Sequence, residues 1–190
     1  VINVTGRVDL LVNNAGISGP TAPVEAISPE AWQKTLDIGL TGAFNAARAV
    51  IPIMKAQGSG AIVNIASNAG LMGCPNRSPY VAAKWALIGL TKTWAMELGS
   101  YNVRVNALCP ASVEGARIDA VIARDATARG VSEDAIRSVY ERQSSLRAFT
   151  RVEDIAAMVC YLAGDQGIRI SGQAIGIDGH TETLANYLGP

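Results

Sequence analysis

Tyr80 and Lys84 stand four residues apart in the run Ser78-Pro-Tyr-Val-Ala-Ala-Lys84, a spacing that puts both side chains on one face of a helix. A phenol titrates near pH ~10 and is a poor proton donor or acceptor at neutrality. An ammonium held beside it favours the phenolate and brings it towards the working range. Ser67, thirteen residues before Tyr80, closes a short apolar run and can share a hydrogen bond with the same reacting oxygen. Together the three residues suit acid–base proton transfer at one reacting oxygen. Tyr-x-x-x-Lys alone also arises on solvated helix faces, so the surrounding elements and motifs decide.

Four runs read as short buried strands: 9–13, 61–66, 103–108 (closed by Pro110) and 173–177. Ser28 as N-cap and Pro29 as first residue open a helix between the first two. Its apolar stripe is Trp32, Leu36, Leu40, Phe44, Ala47 and Ile51; a kink is expected at Pro52 and an end before Gly58-Ser59-Gly60. Ser78-Pro79 starts a second long helix that runs to about Gly99. The stretch 114–150 is more polar, with two helices expected near 117–127 and 132–143, and suits a substrate lid. Thr150-Arg-Val-Glu153 reads as a capping box for a last helix with Val152, Ile155, Ala156, Val159 and Leu162 on its apolar face. Residues 1–7 read as a helix end or a connection. Strands alternating with helices, without hairpin signals, predict an α/β fold: a Rossmann-like, doubly wound parallel sheet covered on both faces. Ligands of such sheets bind at the carboxyl ends of the strands, where Asn13–Gly16, Ser67 and Cys109–Val113 all fall.

The 190 residues fit one domain, and 16 basic residues balance 16 acidic ones without a basic cluster, which argues against a nucleic-acid partner. Cys74, Cys109 and Cys160 are scattered, which fits a reducing compartment. His180 is the only histidine, so no histidine-rich metal site is expected and the metal assignment is none. No apolar run reaches the ~18 residues of a membrane span, and a cytoplasmic protein is the default. Asn64 and Asn106 are expected to tie strands together, Cys109 to be a small buried side chain, and His180 to lie on the surface or rim. Gly58-Ser59-Gly60 precedes a strand instead of following one, so it is no phosphate loop. A serine hydrolase is excluded by the lack of a Gly-x-Ser-x-Gly elbow.

Taken in order, Asn13-Asn-Ala-Gly16, Ile62-Val-Asn-Ile-Ala-Ser67, Tyr80-Val-Ala-Ala-Lys84, Arg104-Val-Asn-Ala-Leu-Cys-Pro110, Ser171-Gly-Gln173 and Asp178-Gly179 resemble the classical short-chain dehydrogenase/reductase (SDR) family over almost the whole chain. The resemblance implies an oxidoreductase using NAD or NADP on a small-molecule alcohol or carbonyl substrate. Tyr80 would be the acid/base, Ser67 would hold the substrate oxygen, and Lys84 would support Tyr80 and bond the nicotinamide ribose. Asn14, Ala15 and Gly16 would line the adenosine side of the cofactor. Pro110 would set a turn after which Val113 meets the nicotinamide carboxamide through its backbone. Family analogy further implies a homotetramer or homodimer; Trp85, Leu87, Ile88 and Trp94 are compatible with one interface, and core packing explains them equally well. Ala111, Val113, Leu71 and Met72 would give an apolar wall to the substrate pocket.

The sequence departs from the family pattern in three places. The family opens with a Thr-Gly-x-x-x-Gly-x-Gly turn that binds pyrophosphate; no segment matches it, and residues 1–190 read as the C-terminal portion of a single Rossmann domain. The cofactor preference is therefore not encoded in the residues present. Gly39 falls where an asparagine usually connects the lysine to a water relay. Ala111 and Gly115 replace a glycine and a threonine after Pro110. Gly39 and the unmatched nucleotide half also admit a second class of function, a catalytically impaired binding or assembly partner.

Overall fold

The computed structural model describes residues 5–184, so Val1–Val4 of the expected N-terminal connection lie outside the described residues. A four-stranded sheet runs β1 (Leu10–Asn13), β2 (Gly60–Ile65), β3 (Val103–Pro110), β4 (Ala174–Ile177), in that spatial order. All three pairings are parallel, with Val12 opposite Val63, Ile62 opposite Val105, and Leu108 opposite Ile175. The long crossovers carry the helices, as parallel pairing requires.

Alternation along the strands sorts the two faces. Ile62, Val103 and Val105 point to one side, against Ala47, Met54, Trp94 and Leu98. Val63 and Leu108 point to the other, against Leu162. The first face is covered by α2 (Gly42–Gln57) and α3 (Ser78–Leu98), with α1 (Pro29–Leu36) packed on α3, and the second by α6 (Val152–Ala163). Two further helices, α4 (Ala116–Arg129) and α5 (Glu133–Glu141), fall within the 114–150 stretch and share a small core of Ile118, Ile122, Ala126 and Ile136.

The expected start and stop signals act as read. The Ser28 hydroxyl accepts from Ala31 N, Ser132 caps α5 in the same way through Ala135 N, and Gly58 ends α2 in the left-handed region at φ 67°. Pro52 lies inside α2, which is helical from Gly42 to Gln57. The irregularity falls earlier: Asp37–Thr41 forms a π-turn joining α1 to α2, with buried Gly39 inside it. The capping box of α6 is shifted by one residue. Arg151 is the N-cap, and the Asp154 carboxylate accepts from Arg151 N at 3.0 Å. Thr150 instead turns its hydroxyl to Ile177 O at 2.7 Å, while its backbone is paired with the segment Ser112–Glu114.

The asparagines tie elements together. Asn13 Nδ2 donates to Asn64 Oδ1, and Asn64 Nδ2 donates to Thr91 Oγ1 on α3, both at 2.8 Å. Asn106 Nδ2 donates to Ile170 O at 2.8 Å and its Oδ1 accepts from Gln173 N at 3.1 Å, which docks β4 on β3. No helix among the described residues is long and apolar enough to cross a membrane.

Candidate active site

Helix α3 carries Tyr80 and Lys84 to the carboxyl edge of the sheet. Ala83, Leu87, Thr91, Trp94 and Leu98 form its buried stripe, which fixes its rotation against the sheet. Lys84 is only 5% exposed, and its Nζ donates to Ile65 O at 2.7 Å, at the last residue of β2. Burial, then the charge of Arg117, pushes its pKa down to about 8, with Cys109 opposing. The ammonium lies 5.6 Å from the centroid of the Tyr80 ring. The Arg77 guanidinium lies 4.9 Å from the same centroid, and its Nη2 donates to Ser18 O. The Tyr80 ring therefore has two cations within about 6 Å of its centroid, contacts favoured by the electron-rich ring face.

Ser67 follows β2 and is buried; its Oγ donates to Asn68 Oδ1 at 3.1 Å and accepts from Ala69 N at 3.2 Å. The turn it opens, Asn68–Gly70, packs directly on α3, where a Cβ on Gly70 would lie 2.9 Å from Lys84 O. Cys109 is buried behind Ser67, and burial pushes its thiol up to about 11, which suits the inert small side chain expected there.

On the other side of Lys84, the turn after β1 exposes Asn14 and Ala15, and Gly16 is half-buried. A Cβ on Gly16 would come 3.6 Å from Lys84 Nζ, so this turn and the ammonium are neighbours. Beyond Pro110, Ala111 N donates to Ile177 O at 3.2 Å. The segment then pairs with Thr150 in parallel fashion, through Thr150 N to Ser112 O and Glu114 N to Thr150 O. In that register the N–H and C=O of Val113 are left without a partner among the described residues. Gly115 adopts φ 126°, a conformation that L side chains rarely take, so the backbone itself disfavours the usual threonine at this position.

The structure thus gathers Ser67, Lys84, Tyr80, Gly16 and the Val113 segment along the same sheet edge. Cys74 and Met72 belong to an open recess of about 540 Å³ that Glu182, Thr183 and Leu184 also line. Three of the expected interface residues lie elsewhere: Leu87, Ile88 and Trp94 are buried in the chain's own core, and only Trp85 of that set is exposed. The open apolar groove on that side is lined by Leu40, Thr41, Phe44, Ala86, Gly89 and Leu90. His180 is exposed, with Nδ1 2.7 Å from Ser145 Oγ. Among the described residues there is no cluster of three or more metal-ligating side chains.

Residues 1–180 match the family model described as enoyl-(acyl carrier protein) reductase. The chain belongs to the short-chain dehydrogenase/reductase family. It is 38% identical over 175 residues to D-beta-hydroxybutyrate dehydrogenase of Rhizobium meliloti, covering 92% of this chain and 67% of that protein. It is 36% identical over 179 residues to a 3-oxoacyl-(acyl-carrier-protein) reductase of Thermotoga maritima, covering 94% and 68%. Among solved structures, an NAD+-bound xylitol dehydrogenase superposes with a TM-score of 0.87 at 32% identity, over 93% of this chain and 70% of that one. This SDR chain therefore spans about two thirds of the length of the relatives it matches, and its relatives are dehydrogenases and reductases. The parallel sheet and its covering helices are those of the SDR Rossmann fold.

Proposed function

We propose that this chain is the C-terminal portion of a single-domain NAD(P)-dependent SDR that interconverts a secondary alcohol and a ketone or aldehyde, with Tyr80 as the acid/base. The observation that carries the reading is the nearly buried Lys84 ammonium, 5.6 Å from the Tyr80 ring and hydrogen-bonded to the strand end that leads into Ser67.

The residues present fit a nicotinamide dinucleotide. Lys84 has one acceptor among the described residues, Ile65 O, and two further N–H donors that a ribose would satisfy. Val113 offers an unpaired N–H and C=O, the pair of groups that a carboxamide complements. Gly16, without a Cβ, keeps the turn beside Lys84 open, with Asn14 and Ala15 exposed beyond it. Bound there, the nicotinamide supplies or accepts the hydride. The protein's own contribution is orientation and proton management: Ser67 holds the substrate oxygen, Tyr80 gives it a proton in reduction and removes one in oxidation, and the Lys84 ammonium brings positive charge to within 5.6 Å of the Tyr80 ring. Helices α4 and α5 lie beside this edge as the 114–150 lid.

A cytoplasmic location belongs to the same reading, supported by three free cysteines. Self-association as a dimer or tetramer is supported by the groove between α2 and α3, lined by half-exposed Phe44 and by Leu40 and Leu90. A second reading, an impaired SDR that binds without turning over, is favoured by Gly39, which is buried beside Ala83 and carries no side-chain amide.

The test is a fluorescence titration with NADH and NADPH together with an assay of secondary alcohols and their ketones. Binding of a dinucleotide with turnover of any substrate is the expected result. Binding without turnover across the panel favours the second reading, and absence of both overturns the proposal.

A further inference from the structure

We infer that Asn68 and Thr181 are positioning residues for Ser67, linking the serine hydroxyl to the base of the lid. The inference rests on the reading of Ser67 as the residue that holds the substrate oxygen.

Ser67, Asn68 and Thr181 are 7%, 5% and 7% exposed, so their polar groups must find partners within the protein. Ser67 Oγ donates to Asn68 Oδ1 at 3.1 Å, and Asn68 Nδ2 donates to Thr181 Oγ1 at 3.0 Å, across 113 residues of sequence. A serine hydroxyl is a free rotor; with its proton on the Asn68 amide oxygen at 3.1 Å and one lone pair taken by Ala69 N, Ser67 Oγ turns its second lone pair towards the O–H of a substrate alcohol. That amide would itself turn about its last torsion unless its other end were held, and Thr181 holds it.

Thr181 is in turn fixed from two sides. Asp178 accepts from His180 N and Thr181 N, both at 3.2 Å, which closes a tight turn with His180 at φ 63°. Residues 179–182 then zip to the end of the lid: Ser145 N donates to His180 O, Leu146 N to Gly179 O, and Glu182 N to Gln143 O, with Ser144 opposite Thr181 in antiparallel register. The lid's last residues and the Ser67 hydroxyl are thus joined through two side chains, Thr181 and Asn68. A lid displaced by substrate moves Thr181, and the amide of Asn68 conveys that shift to Ser67.

Four variants test this: Thr181→Val, which keeps the shape and removes the hydroxyl, Thr181→Ser, which restores it, Asn68→Ala, and the Thr181→Val/Asn68→Ala double variant. Each is measured for kcat, KM, dinucleotide affinity, Tm and hydrogen exchange of residues 143–146. The expected result is a fall in kcat of about tenfold for Thr181→Val and for Asn68→Ala, the scale of one hydrogen bond. Dinucleotide affinity stays unchanged, Thr181→Ser recovers kcat, and the double variant is no worse than either single one. Faster exchange at residues 143–146 in Asn68→Ala is the expected sign of the linkage, and it is read without turnover. Unchanged kcat in both single variants, equal losses in Thr181→Val and Thr181→Ser, or additive losses would overturn the linkage. Ser67→Ala is the control for the underlying reading. If it keeps full turnover, the role of Ser67 itself fails; if it is inactive while Thr181→Val and Asn68→Ala are normal, only the linkage fails.

Discussion

Lys84 Nζ donates to the carbonyl of Ile65 at 2.7 Å, which places a nearly buried ammonium at the end of the strand that delivers Ser67. A lone hydrogen bond to a neutral carbonyl is poor compensation for a desolvated charge. Stability alone does not account for a lysine at this position.

That imbalance has a pH signature. The pKa of Lys84 is lowered to about 8 from 10.5, chiefly by burial. The unfolded chain therefore keeps this proton between about pH 8 and 10.5, where the folded chain has lost it. From this group alone, stability is lowest below pH 8 and rises with pH through that window. Lys84→Met is expected to raise Tm at pH 7 by a few degrees, about the size of a 1 kcal/mol gain. The advantage shrinks towards pH 10, and turnover is abolished throughout. Thermal denaturation of both proteins at the two pH values checks the sign.

The relay from Asn13 through Asn64 to Thr91 continues to Leu87 O, which accepts from the Thr91 hydroxyl at 2.8 Å. Asn64 and Thr91 are fully buried, so Thr91→Val leaves the Asn64 amide without an acceptor. The expected loss is about 1–3 kcal/mol, read from urea denaturation. Asn64→Ala, which also strands Asn13 and opens a cavity, costs more.

Gly70 separates packing from loop flexibility. A Cβ there would lie 2.9 Å from both Lys84 O and Ile88 Cδ1, whereas a Cβ on Gly73 meets nothing within 4 Å. Gly70→Ala is expected to destabilise by about 1–3 kcal/mol and to lower kcat by shifting α3 away from Ser67. Gly73→Ala leaves both nearly unchanged, and the pair measured side by side checks the claim.

Gly39 has room for a side chain. Its Cβ would sit 3.6 Å from Ala83 Cβ, an ordinary contact, and its φ is not left-handed. Gly39→Asn is expected to fold with unchanged or higher Tm, since glycine in a helical turn costs about 0.5–1 kcal/mol. A several-fold rise in kcat would show that the missing amide limits proton transfer; an unchanged kcat shows that it does not.

The parallel sheet, the two long helices and the Tyr80–Lys84 face were legible because periodicity and capping residues are local signals, as at Ser28, Ser132 and Gly58. The π-turn at Asp37–Thr41 was not, because one extra residue per turn leaves the apolar stripe almost unaltered. The α6 cap slipped by one residue because Thr150 was recruited by Ile177, a long-range contact. Likewise the stripe Leu87, Ile88 and Trp94 could not reveal whether it faces the sheet or a second subunit; burial shows the sheet. Asn68, Thr181 and Arg77 escaped notice because each acts through partners distant in sequence, at Thr181, Asn68 and Ser18. Only the position of Asn68, next to Ser67, hinted at a role.

Tyr80→Phe tests the central claim most directly, because phenylalanine keeps the ring that Lys84 and Arg77 approach and removes only the hydroxyl. Turnover is measured in both directions beside dinucleotide affinity. The account predicts a loss of about a thousandfold, within the usual range for an acid/base residue, with affinity unchanged. A variant that keeps turnover within about tenfold of the parent would contradict it, since a lost proton carrier costs ~100-fold or more.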